Sequence, residues 1–146
     1  MKKYIFVLIA LFISITSALA QEWETDFAKA KQVALDENKV IVLVFQGSDW
    51  CAPCIRLDRE IWSTESFQAY AKSNYVMLQA DFPRRKQNAL PEALAEANAK
   101  LADEYNKNGV FPFVVVMNHK GEVLGETSYK KTTPEAYIKE LNSFIK

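Results

Sequence analysis

Cysteine and histidine are scarce in this 146-residue chain, which contains two cysteines and one histidine. Both cysteines, Cys51 and Cys54, lie in one motif, so they are not the disulfide scaffold of a small secreted domain. A disulfide across so short a loop would remove only about 2 kcal/mol of unfolded-state entropy, which argues against a purely structural bridge. A zinc site needs four ligands, and His119, in a predicted turn, is the one histidine available. We therefore favour redox chemistry, with a structural pair and a metal site as the alternatives.

The chain also lacks an excess of charge of either sign, because 18 lysines and arginines balance 18 aspartates and glutamates. Nucleic acids and acidic membrane surfaces select for strongly basic proteins, so we expect neither as a partner. The sequence shows no internal repeat and no low-complexity segment. Its length fits a single domain with a core of its own.

No uninterrupted apolar run near the start is long enough to cross a membrane. The run covers residues 4–13, whereas a spanning helix needs about 20 apolar residues. Two lysines precede it and a small-x-small pattern, Ala18-Leu19-Ala20, follows it, so residues 1–20 are typical of a cleaved signal peptide, with a membrane anchor as the alternative. We predict an exported, periplasmic or extracellular protein. Its mature domain, residues 21–146, has 16 basic and 18 acidic residues and a net charge near −2.

Apolar runs and helical periodicity predict eight elements in the order α-β-α-β-α-β-β-α. The first four are helix 22–38, strand 40–45, helix 52–62 with a second piece to residue 70, and strand 75–81. The last four are helix 91–105, strand 113–117, strand 122–128 and helix 132–144. A helix joins the first two strands, so they should be parallel, while a short turn makes the last two an antiparallel hairpin.

The motif Trp50-Cys51-Ala52-Pro53-Cys54 lies where the first strand meets the second helix. Cysteines three positions apart in a first helical turn are close enough for a disulfide. The sulfur of Cys51 would face unpaired N–H groups at the positive end of the helix, which favour a thiolate. A thiolate beside a second thiol is suited to disulfide exchange.

Together with Phe111-Pro112, directly before the third strand, this motif and the element order resemble thioredoxin-fold proteins across essentially all of residues 21–146. Residues 47–54 and 57–62 and the loop 81–86 resemble exported bacterial thioredoxin-like proteins. That branch includes relatives of the C-terminal domain of disulfide-interchange reductases. The resemblance implies an α/β, thioredoxin-like fold with a central mixed four-stranded sheet flanked by helices and an additional N-terminal helix.

The resemblance also implies a role for each residue of the site. Cys51 resembles the attacking thiol and Cys54 the resolving thiol, and Trp50 resembles the tryptophan that flanks the attacking sulfur. Pro112 matches the cis-proline that faces the disulfide, where the backbone of Phe111 would pair with an extended substrate segment. For Pro112 an ordinary proline at the start of a strand is the alternative.

Two departures from thioredoxin concern the proton of Cys54. The buried acid of thioredoxin falls on Phe45 here, and its paired lysine falls on Met77, so both positions are apolar. The internal proton acceptor is then missing, and Asp58, reached through water, is a candidate substitute. Asp49, beside the attacking cysteine, is expected to oppose thiolate formation.

Ala52 and Pro53 offer a thiolate neither charge nor a side-chain donor, which favours a less oxidising couple. We therefore predict an exported thiol–disulfide oxidoreductase that reduces or isomerises protein disulfides, without a cofactor or metal. Its partners would be proteins with disulfides or thiols and an upstream electron donor, and we expect a monomer. The alternatives are a binding or chaperone-like envelope protein without redox turnover and a copper-handling dithiol protein. The basic cluster at residues 84–86 is typical of a solvated loop, with a partner contact as the alternative.

Overall fold

The computed structural model describes residues 21–146, so the predicted signal peptide, residues 1–20, lies outside the described residues. The strands are β1 (Trp23–Glu24), β2 (Val40–Gln46), β3 (Tyr75–Asp81), β4 (Phe113–Met117) and β5 (Val123–Thr127). The α-helices are α1 (Phe27–Asp36), α2 (Ala52–Leu57), α3 (Glu65–Asn74), α4 (Glu92–Tyr105) and α5 (Pro134–Ser143). A π-helix covers Asp58–Trp62 and a short 3-10 turn covers Lys86–Asn88. No helix among residues 21–146 combines the length and the apolar character needed to cross a membrane.

One mixed sheet holds the strands in the order β1-β3-β2-β4-β5. β2 and β3 are parallel over seven residue pairs, from Val40 opposite Tyr75 to Gln46 opposite Asp81. β4 is antiparallel to both β2 and β5. The thioredoxin-like fold, the parallel pair and the terminal hairpin are therefore confirmed.

The N-terminal part differs from the prediction, because the structure has a strand where helix was expected. The helix starts at Phe27, since the carboxylate of Asp26 accepts the N–H of Lys29 at 3.1 Å and caps it. Trp23, which the periodicity placed on the helix, lies in β1, and its ring meets that of Trp62 edge-on at a centroid distance of 6.3 Å. The predicted four-stranded sheet thus gains a fifth, two-residue strand at its edge.

Apolar side chains cover both faces of the sheet, because successive residues of a strand point to opposite sides. One face, which we call the aromatic core, packs against α3, α5 and the π-helix and includes Val42, Val44, Trp62, Phe67, Met77 and Tyr137. The other face, which we call the small-residue core, packs against α1 and α4 and includes Ala30, Ala34, Ile41, Leu43, Phe45 and Leu101.

The helix that carries the two cysteines changes its winding halfway along. α2 runs from Ala52 to Leu57 and continues directly as the π-helix. Leu57, Ile61 and Trp62 are fully or almost fully buried in the aromatic core. This burial anchors the far end of the helix and holds its N-terminus, with the cysteines, at the carboxyl end of β2.

Candidate active site

Cys51 and Cys54 form a disulfide at the start of α2, with their Cα atoms 5.2 Å apart. Cys51 is the N-cap residue in extended conformation, and its Sγ accepts the backbone N–H of Cys54 at 3.3 Å. The sulfur of Cys51 therefore occupies the position where a helix N-terminus offers an unpaired donor and the positive end of its dipole. After reduction, the same donor would stabilise a thiolate at Cys51.

The two cysteines are equally buried in this disulfide form, with 4% exposure each. Accessibility in the oxidised state does not distinguish an attacking from a resolving sulfur. What distinguishes them is position, because Cys51 caps the helix while Cys54 lies inside its first turn.

Trp50 links the motif to the loop that follows β3. Its Nε1 donates to the carbonyl oxygen of Phe82 at 2.7 Å, and its ring meets the ring of Phe111 edge-on at 5.5 Å. The ring lies against Gly47, where a Cβ atom would be only 2.3 Å from the Trp50 ring. On another side, the guanidinium carbon of Arg84 lies 3.7 Å from the ring centre. Glycine at position 47 is therefore a steric requirement of this tryptophan.

Asp49 holds the same loop through its carboxylate, a role that sequence reasoning missed. It accepts the backbone N–H groups of Arg84 at 2.9 Å and Arg85 at 3.0 Å, and the side-chain amide of Asn88 at 2.9 Å. The N–H of Arg84, followed by the amide of Asn88, lowers the pKa of the Asp49 carboxyl below its usual range. The carboxylate is thus directed at loop donors, whereas the sequence suggested only an effect on the neighbouring thiolate.

Asp81, the last residue of β3, makes a second connection between the loop after β3 and the loop that leads to Cys51. Its carboxylate accepts the backbone N–H of Ser48 at 2.9 Å and the Ser48 hydroxyl at 2.6 Å. Its backbone carbonyl accepts the side-chain amide of buried Asn98 at 3.0 Å, which ties the loop to α4. The loop after β3 is therefore fixed both to the redox motif and to the helical layer.

The peptide bond between Phe111 and Pro112 is cis. The carbonyl oxygen of Pro112 accepts the hydroxyl of Ser128 at 2.5 Å. The ring of Phe111 lies between those of Trp50 and Phe82, with centroids 5.5 Å away from each. Among the hydrogen bonds within residues 21–146, none uses the backbone N–H or C=O of Phe111.

The remaining predicted residues do not gather around the disulfide. Phe45 and Met77 are both buried, as predicted, but Phe45 belongs to the small-residue core and Met77 to the aromatic core. They lie on opposite faces of the sheet and do not replace a charged pair in contact. Asp58 is exposed and accepts the hydroxyl of Ser63 at 3.3 Å. His119 lies in the turn after β4, at the end of that strand away from Pro112.

Comparison with known proteins agrees with this geometry. A family model described as thioredoxin-like matches residues 22–119. The chain belongs to the thioredoxin-like family. This thioredoxin-like chain is 30% identical over 125 residues to the disulfide bond reductase DsbH of Chlamydia pneumoniae, covering 86% of the chain and 73% of the relative.

Solved structures extend the comparison to three dimensions. A structure described as DsbH oxidoreductase superposes on the thioredoxin-like chain with a TM-score of 0.79 at 29% identity, covering 91% of this chain and 92% of the other. A thioredoxin from Thermus thermophilus gives a TM-score of 0.62 at 16% identity, covering 85% and 86%, and shares the fold. With the Cys51–Cys54 pair at the helix start, these findings confirm the prediction of a thiol–disulfide oxidoreductase.

Proposed function

We propose that this thioredoxin-like protein is an exported reductase of protein disulfides, with Cys51 as the attacking and Cys54 as the resolving thiol. The observation that carries the proposal is the N-cap position of Cys51, whose Sγ accepts the N–H of Cys54. That position stabilises one thiolate of the pair without help from a charged neighbour inside the motif. The name of the relative, a disulfide bond reductase, supports the same direction of electron flow.

In the first step, the Cys51 thiolate attacks one sulfur of a substrate disulfide. A bond forms between Cys51 Sγ and that sulfur, the substrate S–S bond breaks, and the leaving substrate sulfur takes a proton from solvent. The product is a mixed disulfide between protein and substrate. The helix terminus that stabilised the thiolate lies directly beside this new bond.

In the second step, Cys54 gives up its proton and attacks the sulfur of Cys51. The Cys51–Cys54 disulfide forms, the mixed disulfide breaks, and the second substrate sulfur leaves and takes a proton. Two electrons have then passed from the cysteine pair to the substrate, whose two sulfurs have each taken up a proton, and the protein is in the disulfide form described above. A dithiol electron donor must restore the reduced form before the next turnover.

Phe111 and Trp50 are suited to hold the substrate segment during both steps. The backbone N–H and C=O of Phe111 have no partner among residues 21–146, and an extended peptide could use both. The ring of Trp50 is partly exposed and is fixed from several sides. In this proposal Phe111 binds backbone and Pro112 shapes the surface facing the disulfide.

The direction of the reaction follows from what surrounds the Cys51 thiolate. Ala52 and Pro53 add neither charge nor a side-chain donor to the helix terminus. Because strong oxidants owe their potential to extra stabilisation of the reduced form, a pair without it favours reduction of substrates. Isomerisation would use the same first step, but a thiolate of the substrate would then attack the mixed disulfide, form a new substrate disulfide and release the Cys51 thiolate before Cys54 reacts.

Export is part of the proposal and rests on the predicted signal peptide, residues 1–20. The mass of the protein recovered outside the cytoplasm tests it. We expect a chain that starts at Gln21, and recovery of the full chain in the membrane fraction would contradict export by cleavage.

Reduction of a protein disulfide such as that of insulin, with dithiothreitol as the electron source, tests the reductase function. We expect the wild-type protein to accelerate the reaction and both Cys51→Ser and Cys54→Ser to lose the acceleration. Folding of both variants is checked by circular dichroism. Wild-type protein that leaves the uncatalysed rate unchanged would overturn the proposal.

A further inference from the structure

Three consecutive cationic residues, Arg84, Arg85 and Lys86, follow β3, and we call them the basic loop. All three side chains are exposed. The ion pairs found among residues 21–146 join other residues and none involves the basic loop. These three positive groups are therefore available to a binding partner.

The basic loop is held in place by its backbone. The Asp49 carboxylate binds the N–H groups of Arg84 and Arg85, and the carbonyl oxygen of Phe82 accepts Nε1 of Trp50. These bonds leave the charged ends of Arg85 and Lys86 without a hydrogen bond among residues 21–146, while that of Arg84 stacks on the ring of Trp50. Since side-chain to backbone bonds fix the loop, the backbone that carries the charges has a defined location relative to the redox motif.

That location is beside the attacking sulfur. The guanidinium of Arg84 stacks on the ring of Trp50, 3.7 Å from its centre, and Trp50 directly precedes Cys51. The two nearby carboxylates, Asp49 and Asp81, bind backbone N–H groups, the side-chain amide of Asn88 and a hydroxyl group. The outward-facing charge of this rim of the active site is therefore positive, although the chain as a whole has equal numbers of acidic and basic residues.

We propose that the basic loop is a docking surface for acidic residues that flank the disulfide of the protein substrate. This inference rests on the proposed reductase function and adds a substrate class to it. Carboxylates pair well with guanidinium groups, and opposite charges at the rim of an interface mainly accelerate encounter. A substrate whose Asp or Glu residues lie a few positions from its cysteine meets the basic loop when its sulfur reaches Cys51.

The test uses two disulfide peptides that differ only in the residues flanking one cysteine, glutamates in one and lysines in the other. The pre-reduced protein is mixed with each peptide and the second-order rate constant of peptide reduction is measured at low and high salt. We expect the acidic peptide to react at least about threefold faster at low salt, and the ratio to approach one at high salt.

The double variant Arg85→Gln/Lys86→Gln removes two charges while leaving the Arg84–Trp50 stack and the backbone bonds of the loop in place. We expect its ratio of acidic to basic peptide rates to fall by at least about half. The matched control, Lys72→Gln/Lys120→Gln, removes two exposed charges near the opposite end of the sheet and should keep the wild-type ratio.

The outcomes separate this inference from the reductase proposal. If the wild-type protein reduces neither peptide, the reductase proposal fails, and the docking inference that depends on it fails too. If it reduces both peptides at equal rates at low salt, or if the Arg85/Lys86 double variant keeps the wild-type ratio, the docking inference alone is overturned.

Discussion

The two sides of the disulfide are built in different ways. On one side, the polar side, Asp49 and Asp81 bind backbone N–H and hydroxyl groups and join the motif to the loop after β3. On the other, the apolar side, Phe111 and Pro112 contribute their rings, and the backbone N–H and C=O of Phe111 have no partner among residues 21–146. Trp50 contacts both sides, because it donates to Phe82 and packs against Phe111.

This difference suits the two sides to different roles in substrate binding. Hydrogen bonds with defined geometry fix the position of charges and rings, which suits the polar side to orient a substrate. Unused backbone groups beside apolar rings suit the other side to accept an extended segment of varied sequence. In the proposed mechanism, Cys51, which lies between the two sides, depends on both for access to its target sulfur.

The largest expected effect comes from removing the sulfur between the two sides. Cys51→Ser should abolish disulfide reduction, because a hydroxyl cannot replace the thiolate in exchange. Cys54→Ala should instead accumulate a mixed disulfide between Cys51 and its substrate, which intact mass spectrometry measures. A mixed disulfide formed by Cys54 in the Cys51→Ser variant at comparable yield would contradict the assignment of roles.

The next largest effect is expected where the two sides meet. Gly47→Ala would place a Cβ atom 2.3 Å from the ring of Trp50, so the ring must move. We expect a loss of about 1–3 kcal/mol in the free energy of unfolding, typical of overpacking, together with slower substrate reduction. Chemical denaturation and the insulin assay measure the two effects.

Gly109→Asn is the matched control, because Gly109 has a φ of 61° and nothing within 4 Å of an added Cβ. Asparagine tolerates that backbone conformation, so stability and activity should stay close to those of the wild type. Equal effects of the two substitutions would show that the contact between Gly47 and Trp50 is unimportant.

A substitution between the two cysteines should change the reduction potential of the disulfide while leaving the polar and apolar sides intact. Pro53→His places a histidine in the first turn of α2, where its positive form can stabilise the Cys51 thiolate. We expect the couple to become more oxidising by about 30 mV or more, equivalent to about 1.4 kcal/mol. Equilibration with glutathione buffers measures the shift, and Pro53→Gln serves as the uncharged control. An unchanged potential would mean that the residues between the cysteines do not set it.

The smallest effect, a pH dependence, isolates the polar side. The pKa of Asp49 is lowered from its usual 3.8, mainly by the N–H of Arg84 and then by the amide of Asn88. A depressed pKa means that the charged carboxylate stabilises the fold above the unfolded value, and that this stabilisation is lost as the pH falls through the lower folded value. Asp49→Asn should therefore show a smaller loss of unfolding free energy than the wild type between about pH 5 and pH 2.

Chemical denaturation across this pH range checks the expectation. Asp103→Asn, at an exposed position of α4, is the control and should keep the wild-type pH profile. A pH profile of Asp49→Asn identical to that of the wild type would show that the Asp49 carboxylate does not stabilise the fold.

Most of the fold could be predicted because β2, β3 and β4 each contain an apolar run, a strong signal in any sequence. β1 could not, since two residues are too short to show alternation and their pairing with β3 depends on the whole chain. The cysteine pair and its position at the start of a helix could also be predicted from spacing alone.

Two features of the site could not be predicted from the sequence, for physical reasons. Asp49 reaches partners 35 to 39 residues away, and two of the donors are backbone N–H groups that any residue could supply. The positions of Phe45 and Met77 depend on the register between strands, in which Phe45 lies opposite Ala80 and Met77 opposite Val42. Neighbouring residues of a strand point to opposite faces of the sheet. Matching each strand separately to that of thioredoxin therefore does not reveal whether Phe45 and Met77 lie on the same face.

The reduction potential of the Cys51–Cys54 couple tests the central claim, reduction of substrate disulfides, most directly. Equilibration with dithiothreitol or glutathione buffers, read by alkylation and mass, gives its value. We expect a potential closer to the thioredoxin level of about −270 mV than to the strong-oxidant level of about −120 mV. A potential more oxidising than about −180 mV, the level of an isomerase, would contradict it.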